Sequence, residues 1–279
     1  MIVLGATSLI GRFALRRLSV AGVQTVAISR SKGGEAGPGW VRADLRDAQL
    51  VLPPAEAALS LSPIWLLPAA LPALERAGVR RLVVFSSTSR FTKAESPEAA
   101  ERTVARELAE GEAATAAFCE AAGIGWTVLR PTLIYAEGED ANVSRLARLI
   151  DRFGFFPMAG EGVGLRQPVH ADDLAEGAIE ALRRPETIGR SYDLPGGETL
   201  TYRAMVVRIF HGLGRRPRII SVPPTLWTLG LKLAGGLLPD VNAAMGARME
   251  TNLAFDGAAA ARDLHWAPRP FRPRFRFAS

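Results

Sequence analysis

The sequence predicts an α/β fold, a doubly wound parallel sheet with a small C-terminal α/β unit. Three observations carry this expectation. Short apolar runs alternate with stretches of helical periodicity as far as residue 135. The first run leads into a glycine-rich turn, "GATSLIG" at residues 5–11, which opens a helix. Beyond Tyr135 the alternation loosens into shorter, mixed elements. Strands that alternate with helices build a parallel sheet with helices on both faces.

Taken in order, "MIVLGA" reads as a buried strand ending in glycine. "IGRFALRRLSVAG" follows with Ile10, Phe13, Ala14 and Leu18 at helical spacing, and Gly22 as a stop signal. "QTVAIS", "WVRADL" and "EAALSL" read as the second, third and fourth strands. "PAALPALERAG" is a helix and "VRRLVVFSS" the fifth strand. A long helix is expected from near Ser96 and Pro97 to Gly123, bent at Gly111, because serine caps and proline suits the first turn. "GWTVLRPTLIY" is the sixth strand. Next come a helix within "AEGEDANVSRLARLIDRFGFF", a loop "PMAGEGVGLRQPV", and a helix "ADDLAEGAIEALRRP" with Asp173 and Glu176 at capping-box spacing. "RSYDLP" is a strand and "LTYRAMVVRIFHGLG" a helix, followed by short elements and a tail rich in proline and arginine. The predicted organisation is a larger domain over 1–135, to which 169–195 returns, and a smaller one over 136–168 and 196–279.

The 279 residues are 48% hydrophobic, enough for a sizeable core, and the formal net charge is +6. That charge comes from arginine, since lysine stands only at 32, 93 and 232. Such a balance attracts anionic ligands in general but does not imply nucleic-acid binding. Cys119 is alone, so no internal disulfide forms, and His170, His211 and His265 lack ligand spacing, so no metal site is expected. The start lacks a basic segment before its apolar run, and the apolar stretch 225–239 is short for a bilayer span and carries Lys232. The expectation is a cytoplasmic protein with no transmembrane segment and a small-molecule substrate.

The opening loop carries the chemistry. A strand feeding a helix through a glycine-rich turn aims backbone amides and the helix dipole at one point, where a phosphate sits well. Gly5 permits the tight turn and Gly11 lets helix and sheet approach. Ser8 stands where the backbone would approach a pyrophosphate; its Cβ threatens a costly φ, while its hydroxyl can itself donate. At the end of the second strand, where an acid would grip the ribose of NAD, the chain has "SRSK". Arg30 and Lys32 there suit the extra phosphate of NADP; a solvated loop charge is the other reading of Arg30.

With these motifs in place, the chain resembles the short-chain dehydrogenase/reductase superfamily in its extended or atypical branch, which includes nucleotide-sugar epimerases and dehydratases. The resemblance covers almost the whole chain. "GATSLIG" looks like the family's GATGxxG and assigns Gly5, Thr7, Ser8, Leu9, Ile10 and Gly11 to the dinucleotide. "ADLRD" (43–47) looks like the aspartate motif that meets adenine, which carries over Asp44 and Leu45. "VVFSSTS" looks like the fifth strand with its serine-rich end, Ser86 and Ser87, and "WTVLRPTLIY" like the sixth, with Pro131 and Leu133 near the nicotinamide. "RQPVHADDLA" and "YDLPGGETLTY" match later landmarks. The resemblance implies a Rossmann-type sheet, NAD or NADP as cofactor, and an oxidoreductase or epimerase-like activity on a nucleotide-linked or other carbonyl or hydroxyl substrate.

The family's proton chemistry rests on a serine or threonine and a YxxxK pair. Thr88 falls at the hydroxyl position. Glu112 matches the glutamate that follows the lysine, which puts Leu108 at the lysine and Val104 at the tyrosine. Neither side chain titrates, and hydride transfer to a carbonyl needs a proton donor at its oxygen. Lys93, just past the fifth-strand loop, is the leading substitute, with a solvated loop lysine as its other reading. Glu101, Arg102, Arg106 and Tyr135 are further substitutes, and Arg145 and Arg166 could meet an anionic group. The missing pair equally supports an alternative: a protein that binds NADP(H) without turnover, as a redox sensor or accessory subunit of a larger complex. The tail "PRPFRPRFRF" reads either as a packed terminal segment or as a contact for a phosphate, a membrane surface or a partner.

Overall fold

The computed structural model describes residues 1–31, 39–223 and 243–277. Lys32 and the apolar stretch 225–239 lie outside the described residues. In chain order the elements begin with β1 (Ile2–Leu4), α1 (Leu9–Val20), β2 (Val26–Ser29), β3 (Gly39–Arg42), β4 (Ala57–Ser60), α2 (Leu67–Arg76) and β5 (Arg81–Phe85). Next are α3 (Ser89–Thr92), α4 (Ala99–Ala121), β6 (Gly125–Pro131), β7 (Ile134–Tyr135), α5 (Val143–Phe153), β8 (Phe156–Ala159), β9 (Leu165–Arg166), β10 (Val169–His170) and α6 (Ala171–Arg183). Last come β11 (Arg190–Leu194), β12 (Leu200–Thr201), α7 (Tyr202–Gly212), β13 (Ile219–Val222), α8 (Ala243–Glu250) and α9 (Ala258–Leu264).

Two compact units form. Unit one is Met1–Pro131, Ala171–Leu194 and Asp256–Ala267; unit two is Thr132–His170, Pro195–Phe255 and Pro268–Ser279. In unit one, seven strands run in the order β11-β6-β5-β4-β1-β2-β3, every pairing parallel. The fold is the expected Rossmann-like mixed α/β architecture. Ile2, Val3 and Leu4 are wholly buried, as are Leu82, Val83 and Val84. Strands covered on both faces read as continuous apolar runs for that reason. The helices α1 and α6 pack together and are tied by Arg17, whose Nε donates to Asp172 at 2.7 Å, while α2 packs on α4. Unit two gathers short paired strands, α5 and α7 around Tyr135, Met158, Met205, Phe210 and Phe271.

Several boundaries differ from the sequence expectation. The sixth strand ends at Pro131, and residues 134 and 135 instead pair with β10 in unit two. The long helix starts at Ala99; the Ser96 hydroxyl donates to Glu101 Oε2 at 2.7 Å rather than capping it. It runs unbroken through Gly111, whose missing side chain admits Ile64, since a Cβ would lie 3.1 Å from that residue's carbonyl. The stretch read as a loop at 157–169 contains most of β8 and all of β9, with β10 beginning at its end. Residues 256–267, assigned by sequence to the smaller unit, pack in unit one, where the Tyr192 hydroxyl donates to Asp263 Oδ2 at 2.9 Å. Asp173 lies inside α6 rather than at its cap.

Candidate functional site

The site is built at the carboxyl ends of the unit-one strands, around β1, where the strand order reverses between β1 and β4. Gly5 adopts φ +70°, and a Cβ there would lie 2.6 Å from the Ser62 amide nitrogen. Gly11 lies under the turn, where a Cβ would meet the Ala6 carbonyl oxygen at 2.5 Å. Both positions accept only glycine, and together they fold the turn tightly against the start of α1. Ser8 takes φ −64° and ψ 164°, ordinary extended backbone, so the feared strain is absent. It is the helix N-cap: its Oγ accepts the Gly11 amide at 3.1 Å. The Leu9 and Ile10 amides open α1, and the first amides of a helix have no partner within it. Thr7 is exposed, and its Oγ1 lies 2.9 Å from Ser29 Oγ at the end of β2.

Ser29 continues this hydroxyl group to Ser31, Oγ to Oγ 3.3 Å. Neither serine was singled out from sequence, although the alternation of small polar residues in "ISRS" was a usable signal. Arg30 between them is exposed, and its carbonyl accepts from Arg42 Nε at 3.0 Å. Asp44 is half-buried and its carboxylate is held by Arg46, through the side chain at 2.9 Å and the backbone amide at 3.0 Å. Those two hydrogen bonds, with the Arg46 and Arg30 charges, pull the Asp44 pKa down to about 2. Leu45 is buried beside it in the sheet core.

At the end of β5 the expected hydroxyls are largely engaged. The Ser86 hydroxyl donates to Glu112 Oε1 at 2.5 Å. Ser87 Oγ accepts the Ser89 amide at 3.1 Å. Thr88 is buried, and its hydroxyl donates to the Pro131 carbonyl at 3.1 Å. Lys93 ends the short helix α3 and pairs with Glu101, Nζ to Oε1 3.6 Å. Val104 is partly buried and Leu108 is 4% exposed, both against the core that holds Ile64 and Leu67. Arg102 donates to the Ser96 carbonyl at 2.7 Å, and Arg106 faces Glu110 at the surface. Leu133, Tyr135, Arg145 and Arg166 belong to unit two. Tyr135 is buried, edge-on to His170 and Phe271. Arg166 is buried as well, stacked on Tyr202 and donating to the Leu165, Thr251 and Arg248 carbonyls. Leu133 is partly buried on the unit-two core.

Sequence reading missed a charged cluster behind Ser86. Glu112 accepts from Arg130 Nη2 at 2.6 Å and from Arg90, and Arg130 Nη1 lies 3.8 Å from Asp193. Burial opposes the Glu112 charge, but the Arg130 and Ser86 hydrogen bonds and the two guanidinium charges outweigh it and lower its pKa. Burial dominates at Asp193 and raises its pKa. No group of acidic, histidine or cysteine side chains suited to a metal occurs among the described residues, and none of their helices is long and apolar enough to cross a membrane.

Comparison with known proteins adds the family. Residues 68–194 match the NAD dependent epimerase/dehydratase family. Over 155 residues the chain is 26% identical to "NADH dehydrogenase [ubiquinone] 1 alpha subcomplex subunit 9, mitochondrial" of Arabidopsis thaliana, a match covering 55% of this chain and 36% of that protein. The protein of the same name in Dictyostelium discoideum is 28% identical over 93 residues, covering 33% of this chain and 26% of its own. The matches thus span about a third or less of these curated relatives. Among solved structures, MoeE5 in complex with UDP-glucuronic acid and NAD superimposes with a TM-score of 0.73 at 20% identity, covering 96% of this chain and 93% of that one. The match of residues 68–194 to that family, on a fold shared with MoeE5, agrees with the resemblance to extended short-chain dehydrogenases/reductases.

Proposed function

We propose that unit one binds NAD or NADP at the carboxyl end of β1 and that the protein holds this dinucleotide without running the family's usual proton relay. The observation that carries the second half is the packing of Leu108, buried, and Val104, partly buried, on the apolar core, where neither offers a titratable group. The chain's own residues fit the cofactor. Gly5 and Gly11 let the turn fold tightly against its own backbone, and the Leu9 and Ile10 amides at the start of α1 offer donors for a pyrophosphate. Asp44 and Leu45 suit the adenine. The Thr7, Ser29 and Ser31 hydroxyls suit the ribose, and exposed Arg30 suits a 2′-phosphate, which favours NADP. Ser86, Ser87 and Pro131 remain the unit-one residues proposed for the nicotinamide side. A bound nicotinamide supplies hydride chemistry.

On this reading the protein is a redox sensor or an accessory subunit of a larger complex, and the likeness to the two mitochondrial NADH dehydrogenase subunits supports it. A second reading is an oxidoreductase or epimerase-like enzyme on a nucleotide-linked sugar or another carbonyl or hydroxyl substrate. The family domain favours it, as does the likeness to MoeE5, a protein solved with UDP-glucuronic acid and NAD. In that case Thr88 and Lys93 are the candidates for orienting and protonating the substrate oxygen. The separating experiment follows reduced-nicotinamide absorbance across carbonyl and sugar-nucleotide panels after cofactor binding has been established by thermal shift. Binding without turnover supports the first reading; turnover at family-like rates supports the second.

A further inference from the structure

The tail motif "PRPFRPRFRF" (268–277) plays no part in the dinucleotide site. In unit two, residues 271–276 follow a strict alternation: Phe271, Pro273 and Phe275 are buried, while Arg272, Arg274 and Arg276 are exposed. The buried side is well anchored. Phe271 meets Tyr135 edge-on at 4.9 Å, its amide donates to Glu198 Oε1 at 2.7 Å, and the Phe275 amide donates to the Gly212 carbonyl at 3.0 Å. The arginine side lines a cleft of about 560 Å³ together with Arg208, His211 and Gly212 of α7.

The charges around this cleft do not balance. Arg208 is paired with Glu198, whose carboxylate also feels Arg272. Glu137, bonded to His170, accepts the Arg274 backbone amide rather than its guanidinium. Among the described residues Arg272, Arg274 and Arg276 form no ion pair. Three like charges held in a row beside Arg208 and His211 repel one another, and an anionic occupant relieves that repulsion. The spacing selects the occupant. Alternate residues of an extended chain repeat every ~6.8 Å, so a partner with the same repeat can meet all three guanidinium forks at once. An extended peptide with carboxylates on alternate residues has that repeat, and each carboxylate matches a fork.

We propose that this cleft docks an extended acidic segment of a partner protein, with carboxylates at every second residue facing Arg272, Arg274 and Arg276. The inference stands apart from the dinucleotide reading, because all its residues lie in unit two.

The test uses the full chain and two fluorescein-labelled peptides of equal composition, Gly-Glu-Val-Glu-Val-Glu-Gly and Gly-Val-Glu-Glu-Glu-Val-Gly, read by fluorescence anisotropy. The alternating peptide is expected to bind saturably and at least ~10-fold more tightly than the block peptide, and to weaken as salt rises. Arg272→Gln, Arg274→Gln and Arg276→Gln together should weaken it ~10-fold or more, with an unchanged melting temperature and an unchanged thermal shift by NADH. The triple Arg→Lys variant should fall between, since it keeps charge and loses the forks. Equal binding of both peptides overturns the proposal, as does absence of saturation at millimolar peptide. So does arginine-dependent capture by phosphatidylserine vesicles or tripolyphosphate with no peptide binding, which would assign the cleft to a lipid or a free phosphate.

Discussion

Ser8 shows how one residue can depart from a motif and keep its geometry. Where the family pattern has glycine, its extended φ needs no glycine, and its hydroxyl oxygen caps α1. Ser8→Ala should therefore lower stability by about 0.5–2 kcal/mol in urea denaturation, and Ser8→Gly by only a few tenths. Equal, negligible effects would show that the cap contributes nothing. Gly11 leaves no such latitude, because a Cβ would press on the backbone of Ala6. Gly11→Val should lower the melting temperature and abolish any thermal shift by NADH or NADPH; a retained shift would place the dinucleotide elsewhere. Arg30 is exposed, and among the described residues its guanidinium has no acidic hydrogen-bond partner. Arg30→Asp should weaken NADPH more than NADH, by roughly tenfold or more for a lost charged hydrogen bond of ~1.5–3 kcal/mol. Equal loss for both would reduce Arg30 to a loop charge. The glycines and Arg30 were legible in sequence because their signals are local. The Thr88 tie to Pro131 was not, since it joins residues 43 positions apart.

On the proposed reading, helix α4 decides what kind of chemistry is available. Its existence was legible from the serine and proline ahead of its first turn, and Glu112, by resemblance, marked Val104 and Leu108 as the positions of the relay pair. What local signals could not reveal was the partner set: Arg130 reaches Glu112 from another strand and is itself faced by Asp193, and the short pairings of β7 to β10 depend on contacts between distant segments. Two outcomes are expected at this scale. Leu108→Lys places a cation at a 4% exposed position in an apolar cluster and should cost at least ~2 kcal/mol. If it leaves the melting temperature unchanged, that position opens on solvent or on a ligand space, and the non-catalytic reading loses its ground. Glu112 gives a pH signature. Its folded pKa lies below the unfolded value, so its contribution is complete above the unfolded glutamate pKa of ~4.3 and is lost as pH falls through the lower folded value. Glu112→Gln should flatten the acid limb of the stability curve below about pH 4.3; an unchanged limb would assign acid sensitivity to other carboxylates.

For the whole molecule the question is whether a held dinucleotide is also used. The glycine cradle and the sheet around it lie entirely in unit one. NADH or NADPH should stabilise the folded chain by mass action, by about 2.7 kcal/mol at 100 times the dissociation constant. An unshifted melting temperature at millimolar dinucleotide would remove the cofactor from the account. Turnover is a separate matter. General acid–base assistance contributes ~10²–10⁴-fold, so on the proposed placement of Val104 and Leu108 at the relay positions, epimerisation of standard sugar nucleotides should fall short of family rates by about that factor. Of the two substitute groups, Thr88 already donates its proton to a backbone carbonyl and Lys93 is paired with Glu101. Lys93→Ala and Thr88→Ala should accordingly leave NADH affinity intact, and any weak turnover should disappear in one or both. Robust wild-type turnover that survives both substitutions would overturn this assignment, and the charged cluster of Glu112, Arg130 and Asp193 would be the next place to look for the proton.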